Sequence, residues 1–192
     1  MQPPNMATLE AEKHVGRVLI LSGPPGSGKT TIGRIIADTA DRPTVHLATD
    51  GFYTCIRKGF VLPFLPDAAQ QNEVVIGVLV SSLLGYARGG YDVVVDGIIG
   101  PWSIEPFIHG TTEAAVQLQL VVLRPSLDQV MERAKGREGR ELIGSGPIKG
   151  LYQAFEKLGG LEPFVVNTTP QSVEESVQEV RRCFLAQEYR LA

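Results

Sequence analysis

A three-layer α/β fold with a parallel sheet is what this sequence predicts, and three observations carry the expectation. Short apolar runs alternate with helical patterns along the whole chain. The run at 91–96, ending Val93-Val94-Val95-Asp96, is valine-rich and continuous, as a strand covered on both faces reads. Between the first apolar run and the first helical pattern lies Gly23-Pro24-Pro25-Gly26-Ser27-Gly28-Lys29-Thr30, a glycine loop in strand–loop–helix context.

The elements follow in order. Residues 18–21 form the first predicted strand and lead into the glycine loop. Residues 30–40 read as a helix, with Ile32, Ile35 and Ile36 on one face, and Pro43 stops it. A second strand is expected over 45–48. Asp67 with Gln70 three residues on resembles a capping box, opening a helix that reaches about Arg88 and ends at Gly89-Gly90. Residues 74–84 are apolar nearly all round, so that helix is expected to be largely buried. Strands are read over 91–96 and 116–123. Ser126 and Gln129 cap a short helix ending by Gly136, and a glycine- and charge-rich stretch runs on to Gly146. Pro147, at a favoured first helical position, opens a helix ending at Gly159-Gly160. Residues 164–166 are the fifth strand, and Thr169-Pro170 start the last helix, with Val173, Val177, Val180 and Phe184 on one face. Right-handed crossovers are expected, with ligands at the carboxyl ends of the strands.

The 192 residues suit one domain, expected over 16–192 after a flexible tail at 1–15. A net charge of −3 offers no global field for nucleic acid or anionic membrane. Two distant cysteines, scattered histidines, and no CxxC or HExxH pattern give a zinc site no support and fit a reduced, cytoplasmic setting. No secretory signal pattern opens the chain and no run approaches 18 apolar residues, so no membrane span is expected.

Several residues point to phosphate chemistry. Glycines 23, 26 and 28 let backbone N–H groups turn inward onto phosphate oxygens, and the helix N-terminus adds partial positive charge. Lys29, expected at the surface, can reach the β- and γ-phosphates, and the Thr30 hydroxyl can ligate magnesium. Asp96, ending a strand of valines, is the candidate acid for that magnesium; the plainer alternative is a helix cap. Asp50 closes the second strand before Gly51, which suggests a tight turn. Its carboxylate could align or deprotonate an acceptor hydroxyl, or simply make the turn. Arg133, Lys135, Arg137 and Arg140, with Gly136 and Gly139 among them, read as a mobile lid over about 133–146 or as a solvated charged loop. Phe52, Tyr53, Phe64 and Trp102 could line an acceptor pocket or only pack. His46 reads as a core or pocket-wall residue.

Gly23 to Thr31, Asp50, Asp96 and an arginine-bearing lid together resemble the small P-loop kinases. Chloramphenicol phosphotransferase, gluconate and shikimate kinases, zeta-toxin-like kinases and nucleoside monophosphate kinases are the nearest likenesses. The resemblance runs from about Arg17 to the last helix, although only the P-loop is a specific motif. It implies a P-loop NTPase fold with strand order 2-3-1-4-5, ATP and Mg2+ as cofactors, and phosphoryl transfer to a small hydroxylated acceptor. It further implies an acceptor site between the second and third strands, a catalytic arginine at Arg133 or Arg137, and adenine packing near Arg124 and the turn at 167–169. The gluconate- and shikimate-kinase acceptor signatures are missing, as is a long adenylate-kinase lid. A nucleoside or nucleotide kinase and a non-catalytic ATP-binding switch stay open as alternatives. A guanine reader does not fit, since no NKxD follows a strand.

Overall fold

A computed structural model describes residues 14–135 and 145–191. Its centre is a five-stranded sheet in the order β2-β3-β1-β4-β5. The strands are β1 (Val18–Ser22), β2 (Thr44–Ala48), β3 (Asp92–Asp96), β4 (Leu118–Leu123) and β5 (Val165–Val166). Every pairing between them is parallel. The expected strand order therefore holds, with β1 in the middle and its carboxyl end flanked by those of β3 and β4.

Two apolar layers cover the sheet. On one face Leu19, Leu21, Val94, Val121 and Leu123 meet α1 (Lys29–Asp38) through Ile32 and Ile36, and α7 (Val173–Ala186) through Val177, Val180 and Phe184. On the other, Val18, Ile20, Val93, Val95, Leu118, Leu120 and Val122 meet α3 (Ala69–Arg88), α4 (Glu105–Glu113) and residues following α6 (Ser145–Ala154). Strands buried on both faces account for the unbroken apolar runs. The alternation within β1, Val18 and Ile20 one way and Leu19 and Leu21 the other, divides the two layers.

The short β5 leaves half of the β4 edge to the end of the chain. Leu120 N–H donates to Tyr189 O at 3.0 Å and Leu191 N–H to Leu118 O at 2.9 Å, an antiparallel patch beyond the parallel sheet. A second clamp ties the opposite strand ends. Arg17 donates its backbone N–H and its guanidinium to Asp92, at 2.8 and 2.6 Å, while that guanidinium lies 4.5 Å from the centre of the Phe184 ring.

Several local expectations are corrected. The chain after β2 is a helix, α2 (Thr49–Thr54), rather than a tight turn at Gly51. No side chain caps α3: a 3-10 turn (Pro66–Ala68) leads into it, and Asp67 lies within that turn. Helix α3 is not buried all round, for Val74 is 61% and Val78 51% exposed. It lies on the outer layer, so only the side carrying Leu79, Val80, Leu83 and Ala87 reaches the core, with Ile76 and Leu84 packed against it. Helix α4 lies between β3 and β4, where the sequence predicts no helix. Pro147 falls inside the first turn of α6, and the last helix starts at Val173, where Ser172 and Glu175 form a reciprocal capping box.

Candidate functional site

The glycine loop leaves β1 and enters α1 at the carboxyl edge of the sheet. Its backbone demands glycine. Gly23 has φ 141°, and a Cβ there would stand 2.2 Å from Leu123 O. Gly26 has φ 83°, and its Cβ would meet Val130 O at 3.1 Å, because α5 (Leu127–Lys135) packs against the loop. Gly28 precedes α1 with no side chain capping the helix. The first-turn N–H groups of α1 are thus left to an anion arriving at a helix N-terminus.

Lys29 is not at the surface. It is buried, and its Nζ donates to Gly23 O and Pro24 O, both at 2.9 Å, and lies 3.4 Å from Ser27 Oγ. The ammonium is parked on loop carbonyls within the cradle. Ser27 is buried beneath it, whereas Pro25 is half-buried and Thr31 exposed.

Beside Lys29, Thr30 Oγ1 donates to Asp96 Oδ1 at 2.9 Å. Asp96 ends β3 and is buried, which brings it to the P-loop because β3 pairs with β1 through Leu21. Its other oxygen, Oδ2, lies 2.6 Å from His46 Nε2. A hydroxyl and a carboxylate are the hard oxygen donors that magnesium takes together with waters and phosphate oxygens, so the residues present fit that cation. Ser22, at the end of β1, exchanges hydrogen bonds with the backbone of Ile99 and so anchors the loop after β3.

Past the carboxyl end of β2, Asp50 is exposed in the first turn of α2. Tyr53, one turn on, is half-buried, and burial together with the Asp50 charge raises its phenol above the ordinary value. Phe52 packs on the core edge, and Phe64 is exposed. Trp102 stands edge-on to Phe155, with ring centres 5.4 Å apart, and covers Gly100, where a Cβ would meet the indole at 2.3 Å. The loop before α3 is pinned by Gln71, whose amide pairs with both Val61 N–H and Val61 O.

Beyond the loop, a cleft of about 440 Å³ is lined by Arg124, Ser126, Tyr152, Glu162, Asn167 and Thr169, among others. Arg124 is held flat by Glu162, with contacts of 3.1 and 3.0 Å, and by Phe155 O at 2.8 Å. Hydrogen bonds from Arg124 and from Leu158 N–H hold the Glu162 carboxyl below its usual range. A depression of about 510 Å³ along α7, between Pro170 and Arg182, involves neither the loop nor a strand end. Arg133, on α5, reaches Gly26 O at 3.4 Å and so stands against the P-loop. Arg137 and the rest of the expected lid from 136 to 144 lie outside the described residues.

The structure thus gathers Lys29, Thr30 and Asp96, and sets Arg133 against the loop. Two partners escaped the sequence reading. His46 carried no motif that tied it to Asp96, since the contact crosses two strands. Glu162 sits in a short 3-10 helix (Gly159–Phe164), 38 residues from Arg124.

Comparison with known proteins gives likenesses of more than one kind, Lon proteases over about half of this chain among them. The AAA domain family model matches residues 18–155. A cytidylate kinase from Pyrobaculum calidifontis is 28% identical over 167 residues, covering 84% of this chain and 89% of that protein. A solved tunicamycin resistance protein from Deinococcus radiodurans superposes with a TM-score of 0.67 at 16% identity, covering 88% of this chain and 95% of that one. A solved sugar kinase from Janibacter sp. does so with 0.67 at 18% identity, covering 91% and 95%. At such identities the structural likenesses speak for the fold alone.

Proposed function

Since this chain belongs to the AAA domain family, and within it to the small P-loop kinases, we propose that it moves the γ-phosphoryl group of Mg-ATP to a hydroxyl of a small acceptor. The observation that carries this reading is the meeting of Lys29, Thr30 and Asp96 at the mouth of the glycine loop. A passive glycine turn has no need of a buried carboxylate beside its hydroxyl.

Each residue then has a task. The loop N–H groups from residue 26 to residue 30 grip the phosphates, and Lys29 leaves its carbonyls for the β- and γ-oxygens. The cleft at Arg124 takes adenine against the flat guanidinium that Glu162 orients. Thr30 and Asp96 would hold magnesium, which supplies neutralisation of the charge on the phosphate oxygens. Arg133, already against Gly26, reaches the transferred group, and Arg137 is a further candidate from the lid. Asp50 aligns the attacking hydroxyl and takes its proton as the new bond forms.

A second reading has its own support. The likeness to a cytidylate kinase covers most of both chains, so a nucleoside monophosphate is a competing acceptor. One experiment separates the two: ATP consumption measured over hydroxylated metabolites, antibiotics, nucleosides and nucleoside monophosphates, CMP included. Turnover on a hydroxylated small molecule supports the first reading. Turnover on CMP alone selects the second. ATP bound with no acceptor consumed by any member of the panel would point to a switch.

A further inference from the structure

The Asp96 carboxylate is held at both ends, and the group at its second end lies outside the phosphate motif. We infer that His46 is a positioning residue for the magnesium site: its Nε2–H holds Asp96 Oδ2, so that Oδ1 stays beside the Thr30 hydroxyl. The inference rests on the reading of Thr30 and Asp96 as cation ligands and deepens it.

The backbone brings the three groups together. In the β2–β3 ladder His46 stands opposite Val94, two residues before Asp96. Side chains two apart on a strand share a face, so His46 and Asp96 both look toward α1. Helix α1 crosses that face with Thr30 and Gly33 one turn apart on the same side. Gly33 makes the approach possible, because a Cβ there would stand 3.0 Å from His46 Nε2 and 3.4 Å from Cδ2. The imidazole fits in the gap that the missing side chain leaves.

Proton bookkeeping fixes the direction of the contact. Thr30 donates to Oδ1, so the carboxylate is an acceptor there. A carboxylate that serves as a cation ligand is ionised and offers only acceptors, so at 2.6 Å from Oδ2 it is His46 Nε2 that carries the hydrogen. Both groups are largely shielded, with side-chain exposures of 18% and 6%, so little water competes for the bond. A carboxylate anchored at one oxygen turns about its last torsion; one anchored at both does not. An outer partner of this kind sets the orientation of a ligand and typically contributes about 10–100-fold in metal affinity.

The test compares two amides. His46→Gln keeps an N–H near the reach of imidazole Nε2, and His46→Asn stops a bond short. Binding of a non-hydrolysable ATP analogue is measured by calorimetry with magnesium and with EDTA, and the gain due to magnesium is the readout. His46→Asn should lose roughly tenfold or more of that gain, with metal-free nucleotide binding kept, and His46→Gln should recover most of it. In an Asp96→Ala background, His46→Asn should have no further effect. Three results would overturn the inference: an unchanged magnesium gain in His46→Asn, equal losses with and without magnesium, or a His46→Asn chain that fails to fold while His46→Gln folds. If Thr30→Ala and Asp96→Ala also leave the gain untouched, it is the cation assignment that fails. If they abolish it and His46→Asn does not, only the role of His46 fails.

Discussion

At the scale of the residue, two carboxylates divide the proposed work and can be separated. Asp50 is exposed at the start of α2, whereas Asp96 is buried against Thr30 and His46. Asp50→Asn should bind ATP and magnesium almost as the parent does while transfer falls by about 10²–10⁴-fold, the usual contribution of a positioned base. Asp96→Asn should instead weaken the dependence on magnesium. Calorimetry with single-turnover transfer on the identified acceptor reads both; transfer at the parent rate in Asp50→Asn would reduce that residue to a helix-start aspartate. Lys29→Ala is expected to abolish tight ATP binding, and it also removes the buried hydrogen bonds to Gly23 and Pro24. A net cost of about 1–3 kcal/mol to stability in a urea titration follows, since those carbonyls lose a charged donor. The residue types of the loop announce phosphate binding by themselves. That the lysine is folded into its own cradle follows only from the loop's path, which turns its carbonyls inward.

At the scale of the element, caps and edges show how local signals compete. The last helix reads from its apolar spacing, yet its start is decided by Ser172 and Glu175 and not by Thr169-Pro170. Ser172 Oγ accepts from Glu175 N–H at 3.1 Å, and Glu175 Oε2 accepts from Ser172 N–H at 2.7 Å. Ser172→Ala should therefore cost about 1 kcal/mol, seen as a lower urea midpoint with unchanged nucleotide affinity. Thr169 has a different duty: its hydroxyl accepts from Ser126 N–H at 2.8 Å and its carbonyl from Gln129 Nε2 at 2.7 Å, tying the start of α5 to the turn after β5. Helix α3 carries the opposite lesson. A sequence apolar nearly all round suggests a largely buried helix, but a helix on the outer layer offers only one side to the sheet, and Val74 and Val78 are left facing outward.

At the scale of the whole molecule, the Arg17–Asp92 clamp joins the ends of three elements and gives stability a pH dependence. Burial raises the Asp92 carboxyl, but the hydrogen bonds and charge of Arg17 outweigh it and leave the group below its ordinary value of 3.8. A carboxyl lowered on folding contributes above its unfolded value, and the contribution is lost as pH falls through the folded one. Urea midpoints should therefore drop below about pH 4, and Asp92→Asn should flatten that slope while costing about 2 kcal/mol at neutral pH. A slope unchanged by the substitution would assign the acid sensitivity to other carboxylates. The sequence by itself determined the α/β class, the run of buried strands and the phosphate loop, because periodicity and glycine placement are local properties of the chain. Only the tertiary structure decided which side chains meet at the loop. The β2-β3-β1 order brings Asp96 to Thr30 and His46 to Asp96, while a turn after β5 closes the cleft at Arg124. Contacts between residues 50 and 66 positions apart are set by strand pairing and helix crossing, and no local pattern records them.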